Sequence, residues 1–264
     1  MRGSFKGWIL LDEVSMCCLP LLAALDQLRL NGTMICTFGD WDQLPPHPES
    51  NSWRGQPVDA AAFQRSRLYK SWSDRTMFKL TRCRRSDAEH FQFYTNLPSD
   101  LRQAVAASRR RYPPKGEVDL HICISHKQRR AISASMQTEA AKGKETIHIP
   151  AGDDPAYDCC LGTKLVGNCT SGKIVNGGRY LVISFSENLI LRDEVTEKEL
   201  EATPEQIGRC TLLAWAMVYN KVQGSTEAGT VMLHGCGSPY FRKCHLYVGL
   251  SRVTSGSNVF VSSD

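Results

Sequence analysis

Five short strings in this sequence combine residue types that can handle phosphate, magnesium and water. Asp12-Glu13 closes the apolar run Gly7–Leu11. A carboxylate at a strand end holds Mg2+ through water, and a second carboxylate orients an attacking water. Alone the pair says little, because most adjacent acids are solvated. Gly39-Asp40-Trp41-Asp42-Gln43-Leu44-Pro45-Pro46 follows the next apolar run. Glycine permits a tight turn, Gln43 brings a neutral donor and acceptor suited to a γ-phosphate or a water, and the prolines stiffen the exit. Each residue is common in turns when taken singly, but the whole string is far more specific. Leu80-Thr81-Arg82-Cys83-Arg84-Arg85-Ser86-Asp87 gathers guanidiniums. Such clusters are usually solvated surface, but beside a nucleotide they neutralise charge in phosphoryl transfer. Asn220-Lys221-Val222-Gln223-Gly224-Ser225-Thr226 offers amides, hydroxyls and one cation for phosphate contacts. Tyr247-Val248-Gly249-Leu250-Ser251-Arg252-Val253 places an arginine on a predicted helix.

The elements that must position these strings follow from periodicity and punctuation. Gly7–Leu11 reads as a buried parallel strand, Leu19–Leu30 as a helix stopped by Asn31-Gly32, and Thr33–Phe38 as a second buried strand. Strand, helix, strand is a parallel α/β unit, and ligands of such sheets sit at the carboxyl ends of the strands, where both acidic strings fall. Pro45-Pro46-His47-Pro48 opens a loop that runs to about Gln56. Met77–Leu80 is a further short strand, and helices are predicted over Asp87–Leu97 and Asp100–Ser108, each with an acid at its start. Arg109–Gly116 reads as a linker. A strand at Leu120–Ile124 and a helix over Lys127–Ala141 begin a second unit. Between Asp153 and about Asp193, glycines punctuate short alternating runs, the pattern of an antiparallel β insertion. Leu212–Val218 is apolar, Thr230–Leu233 and Asn258–Val261 are closing strands, and a helix lies around Arg242–Arg252. The division expected is 1–112 and 113–264.

Composition permits this and excludes little. The chain has 264 residues, 42% hydrophobic and 22% charged, enough for a core of ordinary size. Net charge is +5, from 32 basic and 27 acidic residues, a mild lean towards anionic partners that would not by itself indicate nucleic acid. There is no run of 18 apolar residues and no secretory pattern, so the expectation is an intracellular protein, nuclear, cytoplasmic or of a viral factory, with no membrane span. Eleven cysteines include the adjacent pairs Cys17-Cys18 and Cys159-Cys160 but no CxxC, which reads as reduced thiols rather than a zinc site. His234, Cys236, Cys244 and His245 are the one cluster whose spacing would allow a metal.

Taken in order, the strings resemble the motifs of superfamily 1 DNA helicases of the RecD-like, 5′-to-3′ branch: "DE", "GDxxQLPP", "L-T-x-x-x-R", "xKxQGxT" and "YVALSR". The β insertion ahead of the "KxQG" string is also similar. The resemblance spans nearly the whole chain and implies part of a first RecA-like lobe followed by a complete second one carrying a small β barrel. It implies ATP and Mg2+ as cofactors and single-stranded DNA as partner, with roles in replication, repair or recombination. Asp12 would stand in the Mg2+ shell and Glu13 would be the general base. Gly39, Asp40 and Gln43 would contact the nucleotide, Gln43 sensing its γ-phosphate. Arg85 and Arg252 would act as arginine fingers, with Gly224 beside the phosphates. Pro45, Lys221, Gln223, Ser225 and Thr226 would couple nucleotide to DNA, and Ser125, His126 and Lys127 would touch its phosphates. Trp41, Trp53 and Trp72 are candidates to stack on bases, although tryptophan is more often a core residue.

The sequence departs from that family at one essential place. G-x-x-x-x-G-K-[ST] is required upstream of "DE", and Trp8 follows Gly7 where lysine is needed. Roughly 80 to 150 residues of the first lobe would be missing, by usual domain size. Smaller departures are Asn220 for a common His and Gly249 for a common Ala. A fragment or truncated product of a helicase is favoured over half of a split motor, whose partner supplies the loop, and over a degenerate relic. A relic freed from catalysis has no chemical need for Glu13, Gln43, Arg85 and Arg252 together. The competing function class is a non-catalytic module that binds single-stranded DNA; a dehydrogenase-like nucleotide binder is disfavoured because no G-x-G-x-x-G follows a strand.

Overall fold

The computed structural model describes residues 5–46, 52–53, 56–57, 64–73 and 77–263, without the side chains of 52, 53, 56, 57 and 73. The chain divides into two compact units, Met1–Phe91 and Gln92–Asp264. In the first, β1 (Trp8–Leu11) pairs in parallel with β2 (Met34–Thr37), with Leu11 opposite Thr37. Between them α1 (Leu19–Leu30) carries Pro20 in its first turn, where the missing N–H costs nothing. It stops at Asn31, and Gly32 takes φ +95°, the left-handed conformation that glycine supplies at helix ends. A two-residue ladder joins β3 (Ser52–Trp53) to β4 (Gln56–Pro57) where a loop is expected. Helix α2 (Arg67–Ser73) is tied to α1 by Trp72, whose Nε1 donates to Asp26 Oδ1 at 2.9 Å. Val14, Leu22, Leu11, Leu19, Trp41, Leu68, Tyr69 and Trp72 form the core of this unit.

The predicted burial of these strands is corrected on one face. Trp8 is 62% and Leu10 70% exposed, while Ile9 and Leu11 point the other way and are half-buried. Parallel strands are normally covered on both faces; among the described residues β1 and β2 pair only with each other, and the packed core lies on one side of them. The predicted strand Met77–Leu80 is also corrected. These residues adopt no regular structure, and Phe78 and Leu80 are almost fully exposed, because no described strand lies alongside to take their backbone hydrogen bonds.

Helices α3 (Ala88–Thr95) and α4 (Leu101–Arg111) were predicted within the first unit. The division instead falls inside α3, and α4 packs with the second unit. Arg109 Nε donates to Ser262 O at 2.8 Å, Val261 N donates to Tyr112 O at 2.8 Å, and Lys243 Nζ reaches Leu97 O at 3.0 Å. Asp100 caps α4, accepting from Gln103 N. Arg109–Arg111, read as linker, are the last turn of α4, where cations meet the negative end of the helix.

The second unit is built on a parallel sheet in the order β13 (Ala216–Val218), β5 (Leu120–Cys123), β14 (Val231–Leu233), β15 (Val259–Val261). Its strands are short, apolar and almost wholly buried, and helices α5 (His126–Ala141), α7 (Tyr219–Val222) and α8 (Lys243–Leu250) flank it.

The β insertion runs further than its glycines suggest. A pair β6 (Ile147–Ile149) and β7 (Tyr157–Cys159) precedes an antiparallel sheet in the order β11 (Glu199–Ala202), β10 (Leu189–Asp193), β9 (Arg179–Phe185), β8 (Lys164–Gly167), β12 (Thr211–Leu213). Helix α6 (Pro204–Cys210) enters through a capping box of Thr203 and Gln206. Ile149, Leu165, Tyr180, Val182, Leu189, Leu191, Ile207 and Leu213 close one apolar core, and each such burial contributes about 1.5–3 kcal/mol. Helix α5 is fastened to the insertion by Arg129, whose guanidinium grips both oxygens of Asp154 in a buried pair.

Candidate functional site

In the first unit the strand ends bring together Asp12, Glu13, Gly39, Asp40 and Gln43, as the sequence predicts. Phe38 N donates to Leu11 O at 2.8 Å and Val14 N to Phe38 O at 2.9 Å, so the turns leaving β1 and β2 are laced side by side. A Cβ at Gly39 would lie 2.9 Å from Val14 Cγ1 and 3.0 Å from Val14 N. Only glycine lets the two turns approach this closely.

Glu13 has φ 51° and ψ 42°, in the left-handed region. This costs a residue with a Cβ about 1–2 kcal/mol. Asp12 Oδ1 accepts from Glu13 N at 2.8 Å and offsets part of that cost. Replacing Glu13 by Gly removes the strain but adds about 0.5–1 kcal/mol of chain entropy to be lost on folding. The variant is therefore expected to be as stable as the parent or up to about 1 kcal/mol more stable, read from the urea midpoint of the first unit.

Gln43 N donates to Asp40 O at 3.2 Å, and its Nε2 to Asp40 Oδ2 at 3.4 Å. Its Oε1 is buried with no hydrogen-bond partner among the described residues, as is Ser15 Oγ on the neighbouring turn. A buried acceptor of this kind calls for a water or another donor. Asp12 is exposed and has one carboxylate oxygen not engaged by Glu13 N, which fits a cation that keeps most of its own water, as Mg2+ does. Arg85 is half-buried and Pro45 half-buried. Trp41 meets Tyr69 edge to face at 5.6 Å, so both Trp41 and Trp72 pack in this unit's core rather than standing free to stack. The side chain of Trp53 lies outside the described residues.

In the second unit the two remaining strings meet. Arg252 is 1% exposed, and its guanidinium is turned onto backbone carbonyls. Nε donates to Val248 O at 3.0 Å, and Nη1 to Val222 O at 3.4 Å and Ser225 O at 3.1 Å; Nη2 donates to Ser251 Oγ at 2.7 Å. The residue predicted as a phosphate-reaching finger therefore anchors the Val222–Ser225 turn, where Gly224 takes φ +82°. Lys221 is likewise engaged internally, donating to Asn176 Oδ1 at 2.7 Å and Gly167 O at 3.3 Å, and burial holds its pKa below the usual lysine range. Gln223 is half-buried beside it. Ser225 Oγ donates to Glu227 Oε1 at 2.7 Å, and Thr226 is exposed. Ser125, His126 and Lys127 are exposed at the start of α5, with Ser125 Oγ capping Gln128 N. The amino end of a 16-residue helix favours an anion.

Sequence reading missed the pairs that hold this unit. Arg179 forks onto Glu227, with Nη1 and Oε2 2.7 Å apart, and so joins β9 to the 225–227 turn. The partners of this pair and of Arg129–Asp154 lie 48 and 25 residues apart, beyond any local spacing rule. Among the described residues no group of three or more His, Cys, Asp or Glu is placed to hold a metal. His234 Nε2 instead meets His121 Nδ1 at 2.8 Å, and His245 Nδ1 accepts from Arg242 N.

Burial, reinforced by His234, pulls the His121 pKa down to about 4; burial, reinforced by Arg242, does the same to His245. Both imidazoles are thus neutral when folded, whereas in the unfolded chain they take up protons below about pH 6.5. Unfolding is favoured as pH falls, so stability is lost progressively from about pH 6.5 towards 4. Urea midpoints of the second unit at pH 7.5 and 4.5 should differ in that direction, and His121→Gln should shrink the difference.

No family model matches this sequence, and no curated protein matches it. Solved structures do match. The Pif1 helicase of Candida albicans superposes with a TM-score of 0.68 at 17% identity, over 97% of this chain and 72% of that one. A Pif1 structure described as unwinding forked duplex DNA by two coordinating helicases gives 0.67 at 20% identity, over 96% and 68%. Bacteroides Pif1 with ADP-AlF3 and single-stranded DNA gives 0.66 at 19% identity, over 96% and 70%. The chain therefore has the fold of these helicases, an α/β arrangement of parallel sheets with flanking helices. Among the described residues no helix is long and apolar enough to cross a membrane.

Proposed function

We propose that this chain is the C-terminal part of the motor of a superfamily 1, 5′-to-3′ DNA helicase, in which ATP hydrolysis drives movement along single-stranded DNA. The observation that carries the reading is the pair of laced strand ends. A strained Glu13 at the end of β1 stands beside the Gly39–Gln43 turn, whose Gln43 keeps a buried acceptor without a partner. A strained carboxylate next to an orphaned buried acceptor suits the positioning of a water for attack on a phosphate.

Bacteroides Pif1 was solved with ADP-AlF3 and single-stranded DNA, which supports the same two ligands here. Asp12 would share the Mg2+ shell, and the ion would draw charge from the phosphate oxygens. Glu13 takes the water's proton, Gln43 orients that water, and Arg85 meets charge on the γ-phosphate. Ser125, His126, Lys127, Ser225 and Thr226 face DNA phosphates. In this reading a glycine-lysine loop from a further segment or a second chain would cradle the remaining phosphates.

The test joins this chain to a segment bearing such a loop and measures ATP turnover with and without single-stranded DNA. DNA-stimulated turnover is expected. If none appears, and DNA affinity ignores ATP and Mg2+, the chain is a non-catalytic DNA-binding module instead.

A further inference from the structure

Cys169 and Cys210 form a thiol pair outside every string considered above. Cys210 ends α6 and is buried in the insertion core; Cys169, half-buried, packs against that same core. The antiparallel ladder of β8 and β12 continues past its last paired strand residues, for Asn168 N donates to Cys210 O at 2.8 Å. Cys169 is the next residue, where the chain bends out of the ladder's alternation, and it turns onto the same core that holds Cys210. The thiols are also electrostatic neighbours. Contact with Cys210 pushes the Cys169 thiol up. Burial works to raise Cys210, but Cys169, Arg209 and Ser171 outweigh it and leave that thiol lowered. Cys210 is thus the readier nucleophile and Cys169 the resolving partner.

Their location gives the pair a consequence. Cys169 lies on the turn that leaves β8 and returns at Gly177 and Gly178, which are hydrogen-bonded to Gly167. Lys221 holds this same turn on both sides of Cys169, at Gly167 O and Asn176 Oδ1. A Cβ at Gly167 would come within 2.0 Å of Val175 O, so the turn is already closely packed.

We infer that Cys169 and Cys210 are an oxidisable dithiol whose closure braces the 168–176 turn and keeps Lys221 in its internal contacts. The oxidant is a low-molecular-weight disulfide. The Cys210 thiolate attacks one sulfur of that disulfide, its S–S bond breaks, and one small thiolate leaves. The Cys169 thiolate then attacks the Cys210 sulfur of the mixed disulfide and releases the second small thiolate. The cysteines lose two electrons and two protons, and the small disulfide is reduced to two thiols.

The experiment uses the full chain, reduced and then titrated with oxidised glutathione. Thiols are blocked at each step and peptides mapped without reduction. The expected product has lost about 2 Da, the two thiol hydrogens, and links Cys169 to Cys210 before any other pair. Amide exchange across 168–178 should slow by about tenfold in that product, return on reduction, and stay unchanged in Cys169→Ser under the same oxidant. A first link at any other pair, or a persistent glutathione adduct, overturns the dithiol. A Cys169–Cys210 link that leaves exchange of 168–178 unchanged overturns the bracing. None of these readouts requires ATP or DNA, so their failure is separate from failure of the helicase reading.

Discussion

Replacing Glu13 by Gln is expected to lower ATP turnover by about 10²–10⁴-fold, the range lost when a general base is removed, in the chain joined to a phosphate-loop segment. The substitution is close to isosteric. It keeps the left-handed backbone, the hydrogen bond from Glu13 N to Asp12 Oδ1, and the lacing of Val14 to Phe38. Stability and DNA affinity should therefore be unchanged, which separates a chemical defect from a folding one. Steady-state turnover at saturating DNA, with a melting curve of the same sample, decides it. Equal turnover in both proteins would place the base elsewhere. A sharper outcome comes from the chain without any added segment. Turnover there that vanishes in Glu13→Gln would mean that this chain already contains its own phosphate cradle.

What the sequence made legible follows from the range of the interactions involved. Helix α1 falls at its predicted limits, Leu19–Leu30, because its start, its apolar spacing and its Asn31-Gly32 stop are all local. The convergence of Asp12-Glu13 with Gly39–Gln43 was likewise legible, since two parallel strands joined by one helix must end side by side. Burial of β1 was not, because it depends on what covers the sheet rather than on the strand. Trp8 and Leu10 carry the apolar code of an interior strand yet lie exposed. Met77–Leu80 fails for a related reason: a β-prone run becomes a strand only beside a partner. The compact units divide at Phe91–Gln92, ahead of the 112–113 division read from the sequence, where Arg109-Arg110-Arg111 reads as a solvated linker. In the structure Arg109 reaches a carbonyl 153 residues away, at Ser262, information that no window along the chain contains.

The second large effect concerns Arg252, for which motif and structure assign different work. A finger that meets phosphate needs a guanidinium open to the nucleotide, whereas here it is buried and spends its donors on Val248, Val222, Ser225 and Ser251. Arg252→Ala would strip these acceptors of their partner and leave a large cavity. The expected loss is about 2–5 kcal/mol of stability in the second unit, the range for truncating a large buried side chain. Arg252→Lys should recover less than half of it, because an ammonium cannot span the Val222–Ser225 turn and Val248 at once. Urea unfolding of the second unit, followed by amide exchange at 222–226, reads both variants. If Arg252→Ala unfolds at the parental midpoint, the anchoring bonds contribute nothing, and the guanidinium is available to a phosphate at little cost. If the loss is found, any phosphate contact by Arg252 must be accompanied by release of the 222–225 turn. Faster exchange at Gly224 and Ser225 on nucleotide binding is then the signature of a residue that couples the nucleotide to the Lys221–Thr226 string by letting go of it.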